Sequence, residues 1–509
     1  METVFAVSKE RAVMREQGIQ EKYLELIDKV NREGFYKPAW DSLSKAPVPE
    51  WFDQSRLGIF IHWGVYSVPA YANEWYSRTM YIQGTDEFDH HVKTYGPHKK
   101  FGYKDFIPMF KAEYFDPEEW IGLFKEAGAG YVMPVAEHHD GFQMYESSLS
   151  DWNAKEMGPK RNVLGELKAS AEKAGMVFGT SSHRAEHWFF MGHGKEFDSD
   201  IKEPLRQGDF YWPAMPEPAF EDWDSTPFPT QEYLDDWMAR TAELIVSYRP
   251  RLLYFDWWIQ HRAFEEPLRK IAAFYYNMGL SWGTDVMICY KHDAMAFSSG
   301  IPDVERGGYK EPKPFRWQTD TAAANNSWCY TDDLDYKTGR EIIITLADTV
   351  SKNGNLLLNI GPKADGTIAD GDRKILKEVG AWMKVNKEAV EGAAPWRISM
   401  EGSGNIEDGS FHEKRVEYTC RDYRFTCADG AVYAICLACP EDGNFLIKSF
   451  ASSPDPSSIT ANRAPFHGVV RQTDILGYDG EISWYADPEG LHVSAPGLES
   501  DYPVVIRIR

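Results

Sequence analysis

Several short apolar runs in this chain stop abruptly at residues able to bind or break polar bonds. Leu57–Ile61 runs into His62 and Trp63, with Glu74 and Trp75 in the loop that follows. Tyr131–Val135 leads to Glu137, His138, His139 and Asp140, and Met176–Gly179 leads to Ser181, Ser182, His183, Glu186 and His187. Arg251–Phe255 stops at Asp256, Val286–Cys289 at Tyr290, Lys291, His292 and Asp293, and a weaker run near Val304 at Glu305 and Arg306. Asp256 stands out, because Tyr254, Phe255, Trp257 and Trp258 flank it. A carboxylate in apolar surroundings is costly to keep charged unless it has partners or a task. A helix cap or a surface ion pair is the plainer reading, but the run end and the aromatic flanks together favour a task. Glycoside hydrolysis with retention needs two such groups roughly 5 Å apart, a nucleophile and a carboxyl that first donates and later accepts a proton. Asp256 fits the nucleophile and Glu305 the acid/base. Asp303 and Glu311 compete with Glu305, whose neighbour Arg306 also suggests a simple ion pair.

Imidazole both donates and accepts, so His62, His138 and His139 suit recognition of sugar hydroxyls. The sequence His138-His139-Asp140 resembles a metal cluster, yet adjacent histidines on an extended strand point apart. His183-Arg184-Ala185-Glu186-His187 matches the inverted zinc-protease pattern H-x-x-E-H. That pattern needs a helix to bring both histidines to one face. Here it follows an apolar run through Thr180-Ser181-Ser182. No metal and no cofactor is therefore expected.

Positioning such residues calls for repeated βα units. Clear strands are predicted at Leu57–Ile61, Tyr131–Val135, Met176–Gly179, Arg251–Phe255, Val286–Cys289 and Leu356–Ile360, and weak ones at Pro302–Glu305 and Phe315–Gln318. Helices are predicted at Pro117–Ala127, Val163–Ala174, Thr230–Tyr248, Glu265–Asn277, Thr338–Lys352 and Asp372–Ala389, with a further one over residues 9–33. The count of about eight strands predicts an α/β fold, a (β/α)8-like barrel of irregular outline, in which function gathers at the strand C-termini. A Rossmann sheet is the alternative, but no G-x-G-x-x-G follows any of the runs. Near Trp396 the long helical patterns end, and short runs such as Val432–Leu437, Phe445–Ile447 and Val504–Ile508 predict a C-terminal antiparallel β-sandwich. The expected organisation is an N-terminal helical extension over residues 1–50, a barrel over 51–395 and the sandwich over 396–509.

Composition bounds the function. A chain of 509 residues exceeds one compact core. Its net charge of −23 opposes a nucleic-acid surface, which needs clustered Lys and Arg. Aromatics at 14% suit sugar binding, where flat rings pack on C–H faces. No long apolar stretch suggests a membrane span, and the first residues do not read as a secretory signal, so a cytoplasmic location is expected. Cys436 and Cys439 form a C-x-x-C without a second pair, so the six cysteines are expected to be structural thiols. Oligomeric state is not legible.

Longer segments carry a resemblance. Gly58-Ile59-Phe60-Ile61-His62-Trp63-Gly64, Glu74-Trp75-Tyr76, His138-His139-Asp140-Gly141-Phe142, Tyr254-Phe255-Asp256, Trp317-Gln318-Thr319, Ser327-Trp328-Cys329-Tyr330 and Asn353 through Pro362 resemble, in order, the α-L-fucosidases of glycoside hydrolase family 29. The resemblance spans much of residues 51–395. It implies a barrel followed by a β-sandwich, release of α-linked L-fucose from fucosylated oligosaccharides or glycoconjugates, Asp256 as nucleophile, and fucose contacts from His62, Glu74, Trp75, His138 and His139. The rest of the pocket wall is expected from His183, Tyr254, Lys291 and Trp328. The chain departs from the family at Tyr254, where many members carry Trp, at Lys291, near a common Arg, and at Thr180-Ser181-Ser182-His183. These departures bear on the sugar, leaving α-L-galactosidase, transfucosylase and non-catalytic carbohydrate binding as alternatives.

Overall fold

The computed structural model describes residues 18–220, 222–413, 416–452 and 465–509. Eight parallel strands close into a barrel in sequence order: β1 (Leu57–Ile61), β2 (Tyr131–Glu137), β3 (Val177–Ser182), β4 (Leu252–Phe255), β5 (Met287–Lys291), β6 (Ile301–Asp303), β7 (Trp317–Ala322) and β8 (Gly354–Ile360). The seam pairs β1 with β8, Leu57 opposite Leu356 through Ile61 opposite Ile360. Strands such as β1 and β8 are buried along their whole length, which is why they read as unbroken apolar runs rather than as alternations.

Several strand ends differ from expectation. β2 continues two residues past Val135, through a register shift against β3 that carries Glu137 into the sheet. Glu137 is buried with Arg184 and Arg240, a structural ion cluster rather than a pocket group. β6 is only three residues long, so Glu305 lies two residues beyond it, and β7 is displaced forward to Trp317–Ala322. β5 ends on Lys291, placing that residue inside the barrel.

Longer helices lie at α1 (Ile19–Glu33), α2 (Pro117–Glu126), α3 (Val163–Ala174), α4 (Gln231–Tyr248), α5 (Glu265–Trp282), α6 (Gly339–Ser351) and α7 (Asp370–Asn386). Their ends follow local chemistry. Asp116 caps α2 ahead of Pro117 at its first turn, Asn162 caps α3, and Thr338 with Glu341 forms a capping box on α6. The helix expected over residues 9–33 is present from Ile19, and residues 9–17 of that expectation lie outside the described residues. Among the described residues no helix is long and apolar enough to cross a membrane.

From Ala394 the chain is antiparallel. β9 (Ala394–Glu401), β10 (Tyr423–Ala428), β11 (Ala431–Cys436), β13 (Thr473–Ile475) and β16 (Val504–Ile508) form one sheet in the order β13-β16-β11-β10-β9. β12 (Asn444–Ile447), β14 (Ser483–Asp487) and β15 (Gly490–Ser494) form a second in the order β12-β15-β14. Tyr423, Phe425 and Ile506 from the first sheet share one buried cluster with Phe445, Ile447 and Val493 from the second, so the sheets face each other as a sandwich. All six cysteines are free thiols.

Candidate active site

The C-terminal ends of the barrel strands surround one cavity of about 590 Å³. Its lining includes His62 from the end of β1, His138 and His139 from the end of β2, His183 after β3, Asp256 after β4 and Glu305 after β6. Glu74 and Trp75 enter from the loop after β1, and Trp328 from the loop after β7. Nine expected site residues therefore converge: Asp256, Glu305, His62, Glu74, Trp75, His138, His139, His183 and Trp328.

Fixed hydrogen bonds set the polarity of the histidines. The Asn359 side-chain oxygen accepts from the His62 backbone N–H at 3.1 Å and from its Nδ1 at 2.6 Å, while the Asn359 amide donates to the Trp328 carbonyl. This leaves His62 Nε2 as an acceptor. His139 Nδ1 donates to the His183 carbonyl at 2.8 Å, so its Nε2 is also an acceptor, 3.6 Å from Asp256 and 3.7 Å from Glu186. Burial lowers the His139 pKa to about 3, so the ring is neutral near pH 7. His138 lies near-parallel to His183, ring centres 4.7 Å apart, and its Nδ1 is buried without a partner, a group a ligand hydroxyl could satisfy.

The two carboxyls sit in opposite electrostatic settings. Burial is the largest single influence on Asp256 and opposes its charge, but His183, whose Nδ1 donates at 2.8 Å, together with Lys291 and His139 outweighs it. The carboxyl is held far below the usual carboxylate range, and it is ionised at neutral pH. Burial pushes Glu305 above its ordinary value, with Asp320 and Asp256 adding to the rise and Lys291 opposing it. The Trp257 indole donates to Glu305 Oε2 at 2.5 Å, and Lys291 Nζ lies 3.0 Å from the same oxygen.

Two expected pocket residues require correction. Lys291 and Tyr254 do not line the cavity; both are fully buried. Both side chains point into the barrel interior, where Lys291 contacts Asp303 at 2.8 Å and Asp320 at 2.9 Å and the Tyr254 hydroxyl donates to Asp320. Gln318 bridges Asp303 to the Tyr131 hydroxyl, extending this polar layer. Neither alternative acid/base lines the cavity: Asp303 belongs to this layer, and Glu311 is exposed on the surface. The H-x-x-E-H stretch is broken into a 3-10 turn (Arg184–Glu186) and a four-residue helix (His187–Phe190). His183 and Glu186 line the cavity, whereas His187 donates to the His139 carbonyl away from it.

Among the described residues two triads have ligand atoms close enough to meet at a cation: His62, His138 and His183, and His139, His183 and Asp256. In both, His183 already bonds Asp256 and Ser181.

Sequence reasoning missed Asp320 and Phe411 as lining residues. Phe220 and Trp223 fall in the Pro-, Trp- and Asp-rich segment Phe197–Pro229, which reads as a pocket-walling loop without singling them out, and His292, Trp257 and Glu186 read only as residues near strand ends. Trp257 was signalled by its place beside Asp256. Phe411 had no signal, because it belongs to the stretch between β9 and β10 and reaches the barrel by backbone pairing.

A closed parallel barrel carrying two carboxyls in one strand-end cavity, one held low in pKa and the other pushed up by burial, among histidines and indoles, has the construction of a glycoside hydrolase. Residues 24–388 match the family model described as alpha-L-fucosidase, and the chain belongs to that family, glycoside hydrolase family 29. It is 31% identical over 471 residues to the tissue alpha-L-fucosidase of Rattus norvegicus, covering 91% of this chain and 89% of the relative. It is equally identical over the same length to the Homo sapiens protein of that name, with 91% and 88% covered. The crystal structure of Thermotoga maritima alpha-fucosidase matches 93% of this chain and 100% of its own, with a TM-score of 0.70 and 28% identity.

Proposed function

We propose that this α-L-fucosidase works with net retention by double displacement, and that Asp256 and Glu305 are its catalytic pair. The observation that carries the reading is the placement of two carboxyls on one strand-end cavity, Asp256 held by His183 and Glu305 by the Trp257 indole, with burial pushing the Glu305 pKa up while His183 and Lys291 pull that of Asp256 down. Asp256 attacks the anomeric carbon as Glu305 protonates the departing glycosidic oxygen, forming a glycosyl ester. Glu305, now a carboxylate, takes a proton from water. The resulting attack on the ester frees the sugar and regenerates Asp256.

L-fucose is supported as the glycone by the family, and by a Thermotoga maritima relative, 29% identical with a TM-score of 0.69, whose structure is in complex with fucose. His62 Nε2 and His139 Nε2 accept from sugar hydroxyls. Glu74, fixed by the Trp328 backbone N–H at 3.0 Å and raised in pKa by burial, lies at the same end of the cavity and accepts from a sugar hydroxyl. His183 holds Asp256 and acts as its positioning residue.

The test uses 4-nitrophenyl α-L-fucoside. Asp256→Asn is expected to lose on the order of 10³-fold or more in kcat. Glu305→Ala is expected to regain rate with added azide and to yield fucosyl azide. NMR of the first-formed sugar should show the α-anomer. A first-formed β-anomer would overturn double displacement, and a fully active Glu305→Ala would overturn the acid/base assignment.

A further inference from the structure

The cavity has two unlike ends. His62, Glu74, His138, His139 and His183 are all at most 6% exposed, whereas Phe411 and Phe220 on the same lining are 61% and 63% exposed. Trp257 connects the ends. Its indole N–H donates to Glu305, and its ring lies near-parallel to Phe411, centres 5.7 Å apart at 22°, and to Trp223, centres 6.2 Å apart at 18°.

Phe411 is held in place by several independent ties. Its backbone N–H donates to the Glu305 carbonyl at 2.7 Å, and Gly308 and Gly409 form a two-way backbone bridge. A Cβ on Gly307 would lie 2.0 Å from the Gly409 carbonyl oxygen, so this approach requires glycine. Two residues on, Glu413 accepts from Lys337 Nζ at 2.7 Å and from the Thr321 hydroxyl at 2.9 Å. Phe411 itself has a φ of +60°, a conformation rare outside glycine that persists only where surroundings impose it. The segment between β9 and β10 thus fixes an exposed aromatic ring beside the catalytic proton.

We infer that Trp257, Phe411 and Trp223 form the leaving-group subsite, and that it takes a hexopyranose presented by its C–H face. The inference rests on Glu305 as the acid. The proton must reach the glycosidic oxygen, so the departing group lies on the Glu305 side of the cavity, where the lining is aromatic and open. Flat rings suit the C–H face of a pyranose, whereas the deep, buried polar end suits the hydroxyl-rich fucosyl ring. The same indole that borders the leaving group orients the carboxyl that protonates it.

The test compares three substrates that share one glycone: α-L-fucosyl fluoride, 4-nitrophenyl α-L-fucoside and a fucosyl-hexose disaccharide. Phe411→Ala is expected to lower the disaccharide-to-fluoride ratio of kcat/KM about tenfold, chiefly through KM. Phe411→Trp should restore most of that ratio, and Trp223→Ala should repeat the loss independently. An unchanged ratio, or an equal fall on fluoride and disaccharide, would overturn the subsite. A loss confined to the nitrophenyl substrate would overturn the hexopyranose as occupant. Wild-type protein inert toward the fluoride would fail differently, by removing the fucosidase reading on which the subsite depends.

Discussion

At the scale of single residues, this site is governed by one buried cation. Lys291 is enclosed by Asp303, Asp320 and Glu305, which hold its ammonium charged despite full burial. Its Nζ lies 3.0 Å from Glu305 Oε2, the oxygen that also accepts from the Trp257 indole, and Asp256 and Asp320 supply the opposing negative charge. With Glu305 as the proposed acid, which must hold a proton to act, kcat/KM is expected to fall as pH rises through its raised pKa. Lys291 favours the ionised form, so removing it raises that pKa further. Lys291→Met is therefore expected to move the alkaline limb of the kcat/KM profile to higher pH. It should also lower Tm, because three carboxyls lose their shared counter-charge. An alkaline limb that stays in place in a folded Lys291→Met protein would show that Lys291 serves only stability. Such a lysine read from sequence as a pocket contact because it follows an apolar run. Its place inside the barrel depends on β5 extending to it, and the extension is stabilised by partners on β6 and β7 that no local pattern reveals.

At the scale of elements, the barrel depends on close approach between neighbouring strands. Gly58 on β1 pairs with Tyr131 on β2, and a Cβ at Gly58 would lie 2.2 Å from the Tyr131 ring. That ring's hydroxyl donates to Gln318, which donates to Asp303, the partner of Lys291. Gly58→Ala is expected to cost about 1–3 kcal/mol by overpacking. Because the displaced tyrosine anchors the layer beneath Glu305, kcat should fall together with Tm. Unaltered thermal unfolding would mean that the ring moves aside freely. The same layer explains what was legible in the sequence. β1, β2, β4 and β8 were legible because a parallel strand covered on both faces needs a continuous apolar run. β6 and β7 were faint because one is three residues long and contains Pro302, and the other places Gln318 and Asp320 inside the barrel. His62 and Asp256 were legible because each directly follows a clear run, and His138 because it stands three residues past one. Phe411 was not, and Trp223 was legible only as part of a Trp-rich loop, since both come from irregular segments whose position is set by distant backbone bonds and ring stacking rather than by periodicity.

At the scale of the whole molecule, the barrel and the antiparallel sheets are joined through a buried charge cluster that also reaches the site. Asp348 on α6 accepts from Lys352 Nζ at 2.7 Å and from Arg424 Nε at 2.5 Å, and Arg424 on β10 is fully buried. Lys352 also donates to Asn405 at 2.9 Å, and Arg424 to the Gly404 carbonyl at 2.7 Å. Asn405 and Gly404 begin the stretch that delivers Phe411 to the cavity. Removing the charge of Asp348 leaves two buried cations without their counter-ion, so Asp348→Asn is expected to cost about 3–5 kcal/mol at neutral pH, as buried pairs do when one partner is lost. The two cations outweigh burial and depress the folded-state pKa of Asp348 below its ordinary 3.8. The stabilisation is therefore fully present above that ordinary value and is lost as pH falls through the lower folded value. Denaturant unfolding of wild type and variant should show the full gap at pH 7 and a narrowing gap on acidification below pH 3.8. Because the cluster fixes the root of the Phe411 segment, the variant should also lose more rate on a fucosyl disaccharide than on fucosyl fluoride. A gap that does not change with pH would assign the loss to packing rather than charge, and equal losses on both substrates would separate the cluster from the leaving-group end of the cavity.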